Sequence, residues 1–235
     1  LEYWKVTMIE LFFWPTPNGY KATITLAELG LLDKVTPIDI LSGEQFDPAY
    51  LELNPNNKVP TIIDHDGPGG KPVTIFESGA ILLYLAEKTG KLLPKSEFKR
   101  LEAIQWLFFQ VSSMGPMLGQ THHFRTYAPE KIEYAINRYT KEAERLYKIL
   151  DNRLSDHDFL ADEYSIADIA TFTWVRPRKM QGQNLDDYPN VKRWYDTITV
   201  RPAISEGLSV LSDNMKWNAK PGSKEWENMF SASKK

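Results

Sequence analysis

Thr16 and Asn18 stand in FFWPTPNGYK, residues 12–21, where an apolar run ending at Trp14 hands over to amphipathic sequence from Lys21. Pro15 and Pro17 stiffen this turn and limit where the two polar side chains can point. Neither a hydroxyl nor an amide is a general base at neutral pH. Both can donate hydrogen bonds at a helix start, where free N–H groups and the dipole already favour negative charge. The pair suits a charge that a ligand brings; the plainer reading is a cap and turn. A second such place is FESGAILLYL, with Glu77 and Ser78 at the head of a predicted helix. Its hydroxyl and N–H groups can receive a carboxylate while Glu77 accepts from an ammonium, a combination that fits an α-amino acid; a simple Ser78 cap is the alternative. The third place is NNKVPTI, in which Val59–Pro60 is a candidate cis peptide before a strand, or else a rigid loop proline.

Other polar residues carry less. His122 and His123 are adjacent, so on a helix they point about 100° apart and do not share a metal. They are expected on the surface or on a cleft wall, and no metal site is expected. Asp168, three residues after Ser165, reads as the far end of a capping box and is assigned a structural role. Trp174, Trp194 and the run from Trp106 to Phe109 read as core or interface.

Composition narrows the classes. The 235 residues suffice for one large domain or two small ones, and 42% hydrophobic with 25% charged residues is ordinary for a globular chain. A net charge of −3 offers no field for a polyanion, so nucleic acid is not an expected partner. No apolar run approaches the ~18 residues of a membrane span. The absence of cysteine excludes disulfides, thiolate metal sites and a cysteine nucleophile, and fits a reducing, cytoplasmic compartment. LEYWKVT has neither a basic region nor a cleavage signal, so no export peptide is expected; Leu1 in place of Met leaves the native N-terminus open.

The elements that must position these residues follow from periodicity. MIELFFW, residues 8–14, reads as a strand. KATITLAELGLL reads as a helix with Ile24, Leu26, Ala27 and Leu31 close together and Gly30 at its stop. VTPIDI is a second strand, confined to a sheet edge by Pro37. TIID and VTIF flank the turn HDGPGGK as a hairpin over residues 61–76, and ESGAILLYLAEKTG is a helix ended by Gly90. After the linker LLPKSEFK the pattern is helical. One stripe holds Ile104, Leu107/Phe108 and Val111; a longer one holds Ile132, Ile136, Tyr139, Ala143, Leu146 and Leu150. SIADIATFTWV restarts a helix, and two short helices are separated at Pro202. The polar tail is expected to wander or to drape over the surface. The fold class is therefore α/β plus all-α, with residues 8–93 in the order β-α-β-α-β-β-α, an all-helical domain over 99–212, and an extension over 213–235.

This plan, together with PTPNGYK, NPNNKVP, FESGAILLYLAEKTG, QWLFFQVSSMGPMLGQTHHF and YSIADIA, resembles the glutathione S-transferases, with a thioredoxin-like first domain. Within them it is similar to the Nu class, the group related to the globular domain of the yeast nitrogen-regulatory prion protein; VSSMGPMLGQTHHF is the most class-specific segment. The resemblance implies glutathione as substrate or co-substrate. Thr16 and Asn18 would face its sulfur and Gln45 would hold its glycyl end, with Lys58 assisting by charge. Val59, before Pro60, would offer its main chain to the cysteinyl unit, and Glu77 with Ser78 would take the γ-glutamyl group. Arg138 would belong to the site wall, and Gln105 would reach a neighbouring subunit's glutathione across a homodimer interface. The implied activity is disulfide-bond reduction with weak transferase or peroxidase activity, on a small disulfide or electrophile. Conventional conjugation of electrophiles and a non-catalytic regulatory module stay open as alternatives.

Overall fold

The computed structural model describes residues 9–214 and 219–230; the first residue of the expected opening strand, Met8, lies outside them. β1 (Ile9–Phe13) alternates buried and half-buried residues, as a strand with one face on the core must. α1 (Pro17–Leu29) carries the chain across to β2 (Lys34–Pro37), which lies parallel to β1 with Glu10 opposite Lys34 and Phe13 opposite Pro37. β3 (Thr61–Asp64) and β4 (Val73–Phe76) form the antiparallel hairpin, and the sheet order β2-β1-β3-β4 leaves Pro37 on an edge. β2 is shorter than VTPIDI predicts. Asp39 Oδ1 accepts from Leu41 N at 2.9 Å, and Asp39 N donates to Glu44 Oε2 at 2.7 Å, so the chain turns there instead of extending the ladder.

α2 (Pro48–Leu53) is the short element before β3, and α3 (Ser78–Thr89) closes the first unit at Gly90, whose φ is 66°. Residues 97–127 then wind almost without a break as α4 (Glu97–Phe109) and α5 (Gly115–His122). Each is followed by a five-residue π turn, Gln110–Met114 and His123–Tyr127. α6 (Glu133–Arg153), α7 (Ile166–Val175), α8 (Pro189–Thr199) and α9 (Pro202–Ser209) complete the helical part, and α10 (Lys224–Phe230) follows.

α1 is buried continuously from Gly19 to Leu26, not along one stripe, because α7 and α9 pack on it as well as α3. Gly207 lets α9 approach: a Cβ there would stand 2.7 Å from the Ile24 Cα. α7 is buried on every side and begins in the expected capping box. Asp168 Oδ1 accepts from Leu160 N at 3.0 Å and Trp194 Nε1 at 2.9 Å, while Oδ2 accepts from Ser165 N at 3.0 Å. Asp168 thus ties α7 to α8 and to the loop before α7. Two core assignments need correction. Leu107 faces inward but Phe108 is exposed, the helix turn placing neighbours about 100° apart. Ile132 precedes α6 as its exposed cap residue and does not join the stripe of Ala143, Leu146 and Leu150.

Candidate functional site

α1 starts hard against the end of β1. A Cβ on Gly19 would lie 2.3 Å from the Trp14 carbonyl oxygen, so only glycine permits this approach. Thr16 is extended, with φ −122°, and its Oγ1 accepts from Gly19 N at 2.9 Å. The cap therefore uses a lone pair and leaves the hydroxyl hydrogen to donate elsewhere. Asn18, one turn position on, is held from the helical part: its Oδ1 accepts from Trp174 Nε1 at 2.9 Å. Indole N–H is donor only, which fixes the amide orientation and leaves the two hydrogens of Asn18 Nδ2 for the cleft.

Two connected hollows meet at Thr16, Asn18, Ile40 and Met229. The smaller, about 180 Å³, is a groove that also takes in Gln45, Asn57, Lys58 and Val59. The Val59–Pro60 bond is cis, and the main-chain N–H and C=O of Val59 have no partner among the described residues. Tyr50 Oη and Asn54 Nδ2 donate to the Lys58 carbonyl at 2.7 and 2.6 Å, pinning the loop from beneath. Asn56 Nδ2 donates to Glu77 Oε1 at 3.4 Å, joining this loop to the head of α3. There Glu77 is held at φ 68° and exposed, while Ser78 is buried. Neither lines the two hollows; they continue the same edge of the molecule past Val59.

The larger hollow, about 520 Å³, is mainly apolar, walled by Pro15, Trp174, Pro177, Met180 and Phe230, with Arg176 as a cation on its wall. Arg176 lies 5.5 Å from the centre of the Tyr20 ring. Both adjacent histidines line this wall, the cleft reading of THHF. His122 is buried beside Trp174, and burial drags its imidazole down to about 4, against the opposing pull of the Pro177 carbonyl. Burial lowers His123 as well.

The tail drapes over this cleft. Gln45, on the short turn after β2, is buried and donates from Nε2 to the Asn228 carbonyl at 2.8 Å. Asn228 Nδ2 donates to the Leu41 carbonyl at 2.7 Å, and Trp226 Nε1 to the Tyr127 carbonyl at 2.8 Å. Met229 and Phe230 thereby become walls of the cleft, with Phe230 4.8 Å from the His123 ring. Besides Glu77 and Ser78, two further expected site residues lie outside these hollows. Gln105 is exposed on α4, and Arg138 is exposed on α6 with Nη1 3.9 Å from Glu142 Oε2.

Sequence reasoning missed Lys21 and Gln110. Lys21 opens the stretch read as amphipathic, yet it is buried, with Nζ 2.6 Å from Gln110 Oε1 and 3.4 Å from Ser78 Oγ. Burial pulls its ammonium down to about 7, with Glu77 acting in the opposite sense. The available signal was spacing: Lys21 shares a helix face with Asn18 and Thr25, within the run Gly19–Leu26 that is buried throughout.

Comparison with known proteins agrees with this layout. Family models for the N-terminal and C-terminal domains of glutathione S-transferase match residues 16–88 and 106–202. The disulfide-bond oxidoreductase YfcG of Escherichia coli is 50% identical over 203 residues, covering 86% of this chain and 94% of that protein. A glutathione transferase from Burkholderia graminis, crystallised with two glutathione molecules per subunit, superposes with a TM-score of 0.82 at 42% identity. That match covers 88% of this chain and 90% of the other. A glutathione transferase from Pseudomonas putida, crystallised with one glutathione disulfide per subunit, gives 0.83 at 39% identity over 89% and 94% of the two chains.

Proposed function

The chain belongs to the glutathione S-transferase family, and we propose that it is a glutathione-dependent disulfide-bond oxidoreductase of the Nu-class kind. Glutathione lies along Val59, its glycyl end toward Gln45 and Lys58 and its γ-glutamyl group toward Glu77 and Ser78. Its sulfur then falls where groove and larger hollow meet, against Thr16 and Asn18. The observation that carries the reading is the locked amide of Asn18: Trp174 takes its oxygen, so a donor is what it offers. A donor stabilises a thiolate, and a chain without cysteine needs a thiolate from its ligand.

The bound thiolate attacks one sulfur of a disulfide held in the larger hollow. That bond breaks, the departing sulfur leaves as thiolate and takes a proton, and a mixed disulfide with glutathione remains. A second glutathione attacks the glutathione sulfur of that mixed disulfide, giving glutathione disulfide and the second reduced thiol. The protein supplies hydrogen bonds and proximity. Homologous structures with two glutathiones or one glutathione disulfide per subunit support a cleft of this capacity. Among the described residues no helix is long and apolar enough to cross a membrane; we place the enzyme in the cytoplasm on its lack of cysteine. We also assign it a homodimer, because Phe98, Leu101 and Phe108 are 88%, 57% and 57% exposed along one face of α4 beside Gln105.

The apolar wall of the larger hollow favours one other reading, conjugation of an apolar electrophile. A paired assay separates them: glutathione with 2-hydroxyethyl disulfide, and glutathione with 1-chloro-2,4-dinitrobenzene. Fast reduction with feeble conjugation is expected. The reverse moves the function to conjugation, and silence in both with glutathione still bound leaves a regulatory module.

A further inference from the structure

Lys21 is a buried amine with no opposite charge against it. Only 2% of it is exposed, and the two acceptors it reaches, Gln110 Oε1 and Ser78 Oγ, are neutral. Among the described residues no carboxylate lies within ion-pairing distance. A buried ammonium without an anion is costly, and folded chains ordinarily pair it. The neighbouring charged groups are engaged elsewhere or exposed. On α1, Glu28 holds Arg201 through two hydrogen bonds at the far end. On α7, Asp168 serves Leu160, Ser165 and Trp194. Arg176 covers Tyr20, Glu10 of β1 holds Lys34 and Thr36, and Lys88 of α3 pairs with Asp64. Glu87 of α3 pairs with Arg100, and Glu206 of α9 is exposed. The field that reaches Lys21 is that of Glu77.

We propose that Lys21 is the built-in counter-ion for the α-carboxylate of the γ-glutamyl group, acting through Ser78. This rests on the placement of that group at Glu77 and Ser78 given above. Lys21 donates to Ser78 Oγ from the protein side, which turns the hydroxyl hydrogen of Ser78 toward the ligand. Gln110, in the first π turn, holds the ammonium from the other side. The carboxylate meets the hydroxyl, the start of α3 and, one atom behind, a positive charge that the fold leaves uncompensated. Lys21 is thus a positioning residue whose missing anion arrives with the substrate.

The consequence is a proton. Empty, the site holds Lys21 partly neutral near neutral pH. An incoming anion favours the ammonium, so binding draws a proton onto Nζ. With burial pulling the free amine down to about 7, binding above neutral pH should be accompanied by net proton uptake.

The test is calorimetric titration with S-methylglutathione, which has no thiol to ionise, in buffers of different ionisation enthalpy. The full chain should take up protons on binding, and Lys21→Met should take up none and bind more weakly. The analogue that lacks only the γ-glutamyl α-carboxylate, 4-aminobutanoyl-S-methylcysteinylglycine, should bind the unaltered chain more weakly and without uptake. That second arm decides the matter if the variant does not fold. Binding of S-methylglutathione without proton uptake, or equal uptake with the decarboxylated analogue or in the variant, overturns the proposal. Failure of S-methylglutathione to bind at all overturns the glutathione placement itself.

Discussion

Asn18→Ala removes two things at once, and the structure lets them be separated. The amide oxygen satisfies the N–H of Trp174, a residue only 7% exposed. Leaving that donor orphaned costs about 1–3 kcal/mol of stability. The amide nitrogen, on the reading above, donates to the bound thiolate. A hydrogen bond to a charged group contributes about 1.5–3 kcal/mol, or roughly one to two pKa units of the bound thiol. Because the more basic thiolate left behind is also the better nucleophile, the loss should lower disulfide reduction at neutral pH roughly 4- to 15-fold. Asn18→Asp keeps an acceptor for Trp174, so it should retain most of the stability, yet it sets a like charge against the sulfur. It should therefore be folded and at least as inactive as the alanine variant. Ultraviolet thiolate absorbance of the glutathione-loaded protein against pH, read beside urea unfolding and 2-hydroxyethyl disulfide turnover, measures each part. The reasoning is refuted if Asn18→Asp keeps the parental thiolate titration and rate. An Asn18→Ala variant whose activity falls only with its folded fraction refutes it equally.

The imidazole of His122 titrates at about 4 in the folded chain against 6.5 when unperturbed, because burial disfavours its charged form. The unfolded chain binds the extra proton first, so stability is fully present above about pH 6.5 and declines as pH falls toward 4, by up to roughly 3 kcal/mol. Urea midpoints across that window should show the decline, and His122→Gln should flatten it; an unchanged slope counts against the assignment. Unhooking the tail with Trp226→Ala and Phe230→Ala together should free the Gln45 amide from the Asn228 carbonyl and lower the KM for glutathione about two- to tenfold, one hydrogen bond's worth. A KM that stays put would mean the tail does not compete for Gln45. Sedimentation should find a dimer that Leu101→Glu and Phe108→Glu dissociate, since each buries a charge in an apolar contact; a monomeric parent chain would end that reading.

The element order was legible because each signal is local. Alternation in β1, the stop at Gly30, the edge position of Pro37 and the Ser165–Asp168 box each depend on a few neighbouring residues. Misplaced assignments concern faces and partners. Phe108 and Leu107 are equally apolar, and only the packing of α4 says which turns inward. β2 stops early because Asp39 and Glu44 hydrogen-bond across the following turn, a choice that apolar content does not reveal.

The sequence by itself determined the two-part architecture and which chemistry the chain must borrow. With no cysteine anywhere, any thiol the chain uses has to come from a ligand, and it is the likeness to the glutathione S-transferases that names glutathione. Tertiary structure alone decided how those groups are aimed. Asn18 presents a donor because Trp174, 156 positions away, occupies its oxygen. Lys21 is a buried amine because α3, α7 and α9 enclose the Gly19–Leu26 run of α1, with Gln110 and Ser78 reaching it from 89 and 57 positions away. The tail became cleft wall because Gln45 meets Asn228 across 183 positions. Burial and hydrogen-bond direction are properties of what surrounds a group, and distant segments become neighbours only when the chain is folded.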